Sequence, residues 1–372
     1  MIDFLEIRAA DLKVIGILDT AQSVIWHSVY FGVGDFEIYT PATPEMVNLL
    51  TTGNYVTRTD NAEVGVIEKL AIINDIESGR MITASGRFAK SVLDRRLIYN
   101  LNGNSNKATI LRGNLETAIR EVVQDNAISC AFDPRRNIDV LILGDVAGIP
   151  TNITDANGKA TKKQVSYKNL LEYTDGALAE YGIAARCVLE NNKLQYTIYS
   201  GADRSTGNSS GNVPVVFSQA FDNLVNSDYM HDTAEEKNAA LIGGEGEGLA
   251  RFYSFITDGK TGLQRREIFI DAASIARGYT DENEVEQTYT DEEYKELLDA
   301  QGVQDLAPLV EVETFSGTVD ITNGNYVYGR DFWLGVIVTV QDNELRKYIN
   351  VRITEATEVQ DVNGYTVDVK YE

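Results

Sequence analysis

The sequence predicts a β-rich α+β protein of several domains. Three observations carry this. Short runs with alternating or continuous apolar residues dominate both ends, as in EVGVIEKLAIIND (63–75) and YINVRITEATEV (348–359), the period-two signature of strands. Apolar residues at helical spacing are confined to two segments in the middle and one later on. A chain of 372 residues is long enough for about two to four domains, each with its own core.

Taken in order, residues 1–100 read as the first β domain. GRMITASGRF (79–88) follows EVGVIEKLAIIND after the turn signal Ser78-Gly79, which predicts a hairpin. FAKSVLDRRLI (88–98) then predicts a short helix or turn leading to another strand. Residues 101–200 predict an α+β domain. Leu115, Ala118, Ile119, Val122 and Val123 share one helical face, with Asn114 as N-cap. Leu170, Thr174, Ala177, Leu178 and Tyr181 form a second face, and Gly182 suits the left-handed position past a helix end. Between the helices, IDVLILGD (138–145) reads as a buried strand, and AARCVLENNKLQYTIYS (184–200) as a hairpin turning at Asn191-Asn192.

The Gly/Ser/Asn-rich run 201–214 predicts a linker. Residues 215–250 and 313–372 predict a second β domain, interrupted by an insertion at 251–312. Within the insertion Thr290 and Glu293 form a capping box, Tyr294, Leu297 and Leu298 share a face, and Gly302 is expected to stop the helix. In the last segment VNGYTVDVKY (362–371) alternates, and Asn363-Gly364 is a strong hairpin signal.

Composition narrows the function. The formal net charge is −23, from 56 acidic and 33 basic residues. Such a surface repels nucleic-acid phosphates and anionic membranes. No apolar run approaches the ~20 residues of a membrane span. The start, MIDFLEIRAADLKVIG, lacks the basic region of a signal peptide. Cys130 and Cys187 are far apart in apolar contexts and read as buried free thiols.

Catalytic and cofactor signals fail one by one. DGKTG (258–262) lacks the glycine a phosphate loop needs, since Ser254 stands in its place. GGEGEG (243–248) opens no helix and carries two glutamates where a phosphate would sit. His27 and His231 are the only histidines, and both read as ordinary side chains. Arg95-Arg96, Arg135-Arg136 and Arg265-Arg266 read as structural ion-pairing residues. The expectation is a protein with no cofactor, no metal and no catalytic residues.

The most distinctive stretch is YVYGRDFWLGVIVTVQDNE (326–344). Val336, Ile337, Val338, Thr339 and Val340 make a strong β segment, and Gly329 and Gly335 bracket its approach. Asp331 is placed to accept from backbone amides in a turn. The reading is a corner where the chain enters a small β-barrel; a ligand rim is the competing one.

Here the sequence resembles a known family. Tyr326, Tyr328, Gly329, Asp331, Phe332, Leu334 and Gly335, followed by an apolar strand and RITEATEVQDVNGYTVDVKY with Asn363 and Gly364, look like the C-terminal part of siphophage and prophage tail-hub proteins. ITASGRFAKSVLDRRLI, with Gly86, Arg95 and Arg96, resembles an earlier segment of that family, and EEKNAALIGGEGEG and GLQRREIFIDA fit its middle in the right order. One departure is Val336, where the family often has an acid. The resemblance implies two small β-barrel, tube-type domains, an α+β peripheral domain and a helical insertion. It implies a structural hub of the virion tail, made in the host cytoplasm. Three copies would form a ring around the DNA passage, joined to the tail tube, to distal tail proteins and to tip or fibre proteins. It implies no enzyme, no specific nucleic-acid binding and no membrane insertion. Two competing readings remain: a receptor- or carbohydrate-binding module using Trp26, Tyr30 or Trp333 as sugar platforms, and a hydrolase built on paired carboxylates.

Overall fold

The computed structural model describes residues 4–75, 79–102, 105–106, 109–154, 160–280, 286–319 and 326–371. The chain divides into two compact units. The larger holds residues 1–152, 162–228 and 315–372; the smaller holds 153–161 and 229–314. The division does not follow the boundaries at 250 and 312: residues 229–250 pack with the segment after them.

An eight-stranded sheet organises the larger unit. Its path runs Val216–Ser218, Ile337–Asp342, Lys347–Asp361, Ser23–Val29, Asp35–Pro41, Gly79–Arg87, Lys69–Asp75, and Gly364–Tyr371 pairs with Lys347–Asp361 off this path. Strands from both ends of the chain therefore share one sheet. The 15-residue strand Lys347–Asp361 makes the join: Ile337–Asp342 pairs with its first part, and Ser23–Val29 with its second, from Glu355↔Val29 to Gln360↔Val24. Among the described residues no sheet closes on itself, so the two expected β-barrels are not seen as closed sheets in the chain's own hydrogen bonding.

A second sheet, ordered Val14–Leu18, Leu5–Arg8, Tyr55–Thr57, Val64–Val66, supplies the other wall of the core. Leu5, Ile7, Leu18 and Val56 from this sheet meet Val24, Trp26, Phe36, Ile38, Ile82 and Ala84 from the first. Trp26 lies at the centre, 4.8 Å from the Phe88 ring and 5.7 Å from the Phe36 ring. Alternation explains the arrangement: Ser23–Val29 buries every second residue, so one face points into the core.

The α+β segment forms as expected. Asn114 caps helix Leu115–Val123 by accepting from Thr117 N at 3.0 Å, and Asn169 caps Leu170–Ala179 in the same way. Gly182 is left-handed at φ 68°, and Asn191 and Asn192, at φ 50° and 55°, turn the hairpin Ala184–Glu190/Lys193–Tyr199. Leu141–Leu143 adds a parallel strand. Both cysteines are buried and free.

Three local expectations change. The run 201–214 is not a free linker: Arg204 N donates to Ile337 O at 2.8 Å, Ile337 N to Ala202 O at 3.0 Å, and Thr206 N to Thr339 Oγ1 at 2.8 Å. Polar composition marked a loop, but its backbone found partners on a neighbouring strand. At the last hairpin Asp361 pairs with Gly364, so Val362 and Asn363 form the turn and Gly364, at φ 128°, opens the next strand. The hairpin 69–87 forms with Asp75 opposite Gly79; Ser78 lies outside the described residues.

The third change is in the smaller unit. Its helix Asp291–Leu306 begins with the expected capping box at Thr290 and Glu293 but runs through Gly302. A Cβ at Gly302 would stand 2.8 Å from Ile242 Cδ1, so this glycine lets the helix approach the sheet instead of ending it. That sheet is ordered Tyr253–Thr257, Ala239–Gly243, Glu267–Asp271. Its inner face packs Ala240, Ile242 and Ile270 on Tyr294 and Leu298. Its outer face carries Leu241, Tyr253, Phe255 and Phe269, all exposed. GGEGEG is the tight loop under the helix: the Tyr294 hydroxyl accepts from Glu245 N at 2.7 Å and donates to Ile275 O at 2.6 Å.

A buried ion cluster ties the chain ends together. Arg58, with a side chain 1% exposed, donates to Glu358 Oε2 at 2.8 Å and to both oxygens of Asp60 at 2.8–2.9 Å. Tyr365 Oη donates to Glu358 Oε2 at 2.5 Å, and Asn61 Nδ2 to Glu358 Oε1 at 3.2 Å. The guanidinium lies 5.4 Å from the Trp26 ring, and Trp26 is the cross-strand partner of Glu358. Burial works against the Arg58 charge, but Asp60 and Glu358 outweigh it and raise its pKa. Removing one partner leaves a desolvated charge. Arg58→Met is expected to destabilise the larger unit by about 3–5 kcal/mol in urea unfolding, and the double variant with Glu358→Leu to recover much of that loss.

Candidate functional site

The corner at 326–336 gathers Tyr328, Gly329, Asp331, Leu334 and Gly335. Its turn is local. Asp331 Oδ2 accepts from Val327 N at 2.8 Å and from Arg330 Nη2 at 2.8 Å, while Gly329 N donates to Phe332 O at 2.8 Å. Arg330, then the Val327 amide, hold the Asp331 carboxyl below its ordinary range. Gly329 supplies the left-handed φ of 84° that the turn requires.

Beyond the turn, the corner is built from aromatic packing. Phe332 is fully buried, with Phe217 at 5.1 Å and Tyr328 at 5.6 Å, both edge-on. Leu334 is buried as well. Burial raises the Tyr328 hydroxyl pKa.

Gly335 is where three segments cross. At φ 87° its missing side chain leaves room for the Tyr30 ring, and its carbonyl occupies the space a side chain on Gly201 would need. Tyr30 Oη donates to Gly182 O and accepts from Gly201 N, both at 3.1 Å. Arg352 stacks 5.3 Å over the Tyr30 ring and donates to Gly335 O at 2.7 Å. Arg204 donates to Asp331 O at 3.0 Å and lies 5.1 Å from the Trp333 ring. Sequence reasoning missed Gly201, Arg204 and Arg352, and placed Tyr30 on a surface instead of in this joint. The glycine at 335 was the available signal, because it marked a close approach without naming what approaches.

The other sequence-selected residues lie elsewhere in the larger unit. Gly86 sits where Gly79–Arg87 crosses the Val66–Glu68 backbone, and a Cβ there would collide with Val66 O. Arg95 is exposed. Arg96 donates to Arg136 O at 2.7 Å, and Arg136 is itself buried over Tyr99 at 4.0 Å. Asn363 and Gly364 are at the hairpin described above.

This geometry corrects the sugar-platform reading. Trp26 and Tyr30 are both 0% exposed and belong to the core. Trp333 is half-buried against Arg204. Their large apolar area was more favourable between sheets than on a surface. Among the described residues no cluster of three or more His, Cys, Asp and Glu is set to hold a metal.

One polar cavity of about 10 Å3, the size of a single water, lies within the larger unit. Glu63, Lys90 and Arg186 line it, with Gly34 and Phe88. Lys90 Nζ donates to Asp175 Oδ1 at 2.7 Å. Burial pushes the Glu63 carboxyl up to about 7, against the pull of Arg186 and Lys90.

Two predictions follow from these contacts. Gly335→Ala should cost about 2–4 kcal/mol, because strained backbone and overpacking against Tyr30 add together, whereas Gly364→Ala, which meets nothing within 4 Å, should cost only about 1 kcal/mol for its φ. Thermal melts of the two variants make the comparison. Glu63 binds a proton in the folded state between its ordinary value of 4.5 and about 7 that the unfolded chain has released. Stability therefore falls as pH rises through that window, by up to about 3 kcal/mol, and Glu63→Gln should flatten the fall in urea titrations at a series of pH values.

Against solved structures the fold is that of prophage tail proteins. The 43 kDa tail protein of prophage MuSo2 from Shewanella oneidensis matches with a TM-score of 0.61 at 13% identity, over 99% of this chain and 98% of that one. The tail protein from Neisseria meningitidis MC58 matches with a TM-score of 0.58 at 14% identity, over 99% and 95%. Prophage tail protein gp18 from Listeria monocytogenes EGD-e matches with a TM-score of 0.52 at 11% identity, over 99% and 94%. No curated protein sequence matches. A family model matches residues 4–370, nearly the whole chain, as the resemblance to tail proteins implied: the chain belongs to the Siphovirus ReqiPepy6 Gp37-like protein family.

Proposed function

We propose that this protein is a structural hub of a phage tail, a trimeric ring that joins the tail tube to the tip around the DNA passage. The observation that carries the reading is the family match along residues 4–370, together with a fold shared over nearly full length with prophage tail proteins. In this reading the two β regions act as tube-type, barrel-like halves, so three chains offer a pseudo-sixfold face to the tail tube. The domain at 101–200 and the insertion at 251–312 lie outward or toward the tip. The corner at 326–336 is a structural joint: it positions aromatic and backbone groups and brings no nucleophile to a base. Partners are further copies of the chain, the tail tube, distal tail proteins and tip or fibre proteins. The site of action is the virion tail, after synthesis in the host cytoplasm.

Charge fits this role. A lumen edged by carboxylates does not hold passing DNA, because adhesion requires cationic side chains that displace counterions. The formal charge of −23 supplies carboxylates in excess. Ring closure by three head-to-tail interfaces is the simplest cyclic solution that leaves a central opening.

Absolute mass by light scattering across a concentration series tests the reading. The expected result is a mass of three chains at high concentration, with no hydrolysis of bacterial wall polymer in parallel assays. A stable dimer overturns the trimeric ring.

A further inference from the structure

Seven aromatic side chains are exposed among the described residues. Four stand singly, each in a different element: Phe31, Tyr167, Phe221 and Tyr348. The other three, Tyr253, Phe255 and Phe269, share the outer face of the sheet in the smaller unit and are 48%, 43% and 52% exposed. Strand register places them. Leu241 pairs with Phe255 on one side and with Phe269 on the other, so the two rings and Leu241 form one row across three strands. Tyr253 stands two residues along from Phe255, on the same face. Helix Asp291–Leu306 covers the inner face through Tyr294 and Leu298 and leaves the outer one open. Arginine–acid pairs flank the row. Arg251 lies over Gly243, whose missing side chain makes room for the guanidinium. It donates to Gly243 O at 2.9 Å and to Gly244 O at 3.0 Å, and it pairs with Asp271. The same guanidinium stands 5.4 Å from the Phe269 ring and 5.9 Å from the Tyr253 ring. Arg265 pairs with Glu267 at 2.6 Å and stands 4.9 Å from the Phe255 ring.

We propose that this face is a saccharide-binding platform whose ligand is an extended, β-1,4-linked pyranose chain. Size, spacing and chemistry favour that occupant. Three strands of five residues give a face of roughly 16 by 14 Å, on the order of 200 Å2. A standard protein–protein interface takes about 800 Å2 of each partner, so the face is too small to seat a second copy or another subunit. It matches a short run of sugar rings. Strand spacing sets Phe255 and Phe269 about 10 Å apart, the repeat of every second ring in an extended β-1,4-linked chain. The C–H groups on the face of a pyranose carry partial positive charge and pack on the negative face of an aromatic ring. Its hydroxyls point outward around the rim, where guanidinium donors and carboxylate acceptors stand ready for them. Arg251 and Arg265 against Asp271 and Glu267 leave this face neutral within a chain of net charge −23, as an uncharged ligand requires. The platform adds to the hub reading and does not rest on it.

The test uses the full chain and three soluble probes: chitotetraose, cellotetraose and, as the curved α-1,4-linked control, maltotetraose. Titration calorimetry and saturation-transfer NMR should show binding of chitotetraose or cellotetraose and none of maltotetraose. Phe255→Ala should weaken the binding by about tenfold, and Phe255→Ala with Phe269→Ala should abolish it. Both rings are about half exposed, so thermal melts of these variants should stay close to the unsubstituted chain. Phe255→Tyr with Phe269→Tyr keeps the ring faces and should keep the binding. Tyr348→Ala, an exposed aromatic of the larger unit, should leave it unchanged.

Binding of chitotetraose alone supports the platform and assigns it to N-acetylated chains; binding of both β-linked probes supports it for the shared backbone. Failure of both overturns it, and so does equal binding of maltotetraose. Binding that survives Phe255→Ala with Phe269→Ala places the sugar elsewhere and overturns it as well. A double variant that loses self-association in light scattering while the unsubstituted chain binds no sugar makes the face an interface between copies, which also overturns the proposal. Sugar binding by a chain that is not a trimer supports the platform and counts only against the trimeric hub.

Discussion

The antiparallel pairing of Lys347–Asp361 with Ser23–Val29 is the interaction on which the rest of the larger unit depends. It joins residues about three hundred positions apart and converts two β segments at opposite ends of the chain into one sheet. Such pairing closes a very long loop before its contacts repay the entropy. The structure concentrates compensation at that seam. Trp26, the cross-strand partner of Glu358, fills the core on one side, Arg58, Asn61 and Tyr365 donate to the Glu358 carboxylate, and Asp60 accepts from Arg58.

A buried ion cluster is a poor source of net stability, because desolvation offsets most of the attraction. Its effect at this seam is on register. A shift of one residue would turn Glu358 to the other face and take from Arg58 the more buried of its two carboxylate partners, leaving Asp60. The corner at 326–336 fixes the neighbouring strand in a related way. Gly335 admits Tyr30, Tyr30 holds the Gly182 carbonyl and the Gly201 amide, and Arg352 covers the ring. The joint can be made only when all of these segments arrive together.

Much of this was legible in the sequence. Period-two runs gave the hairpins at 69–87 and 347–371, and Asn114, Thr290 and Glu293 marked helix starts through purely local hydrogen bonds. Gly302 misled because a glycine has two uses, ending a helix or admitting a neighbour, and only the neighbouring Ile242 distinguishes them. The run 201–214 misled because polar composition describes what a loop can tolerate, not where its amides find acceptors. Trp26 misled because an aromatic side chain in a strand has equal access to either face until the sheet has a partner, and Tyr30, just past the end of that strand, because the segments that cover it lie far away in the chain.

The sequence by itself determined the acidic charge, the strand and helix segments, the caps, and the order of motifs that marks a tail-protein family. Each of these depends on residues within a few positions of one another, or on composition. Tertiary structure alone decided that both chain ends share one sheet, that Arg58 meets Glu358, and that Tyr30 fills the space beside Gly335. The physical reason is that strand pairing and core packing are non-local: which edge is covered, and which face is inside, is set by partners far away in the chain.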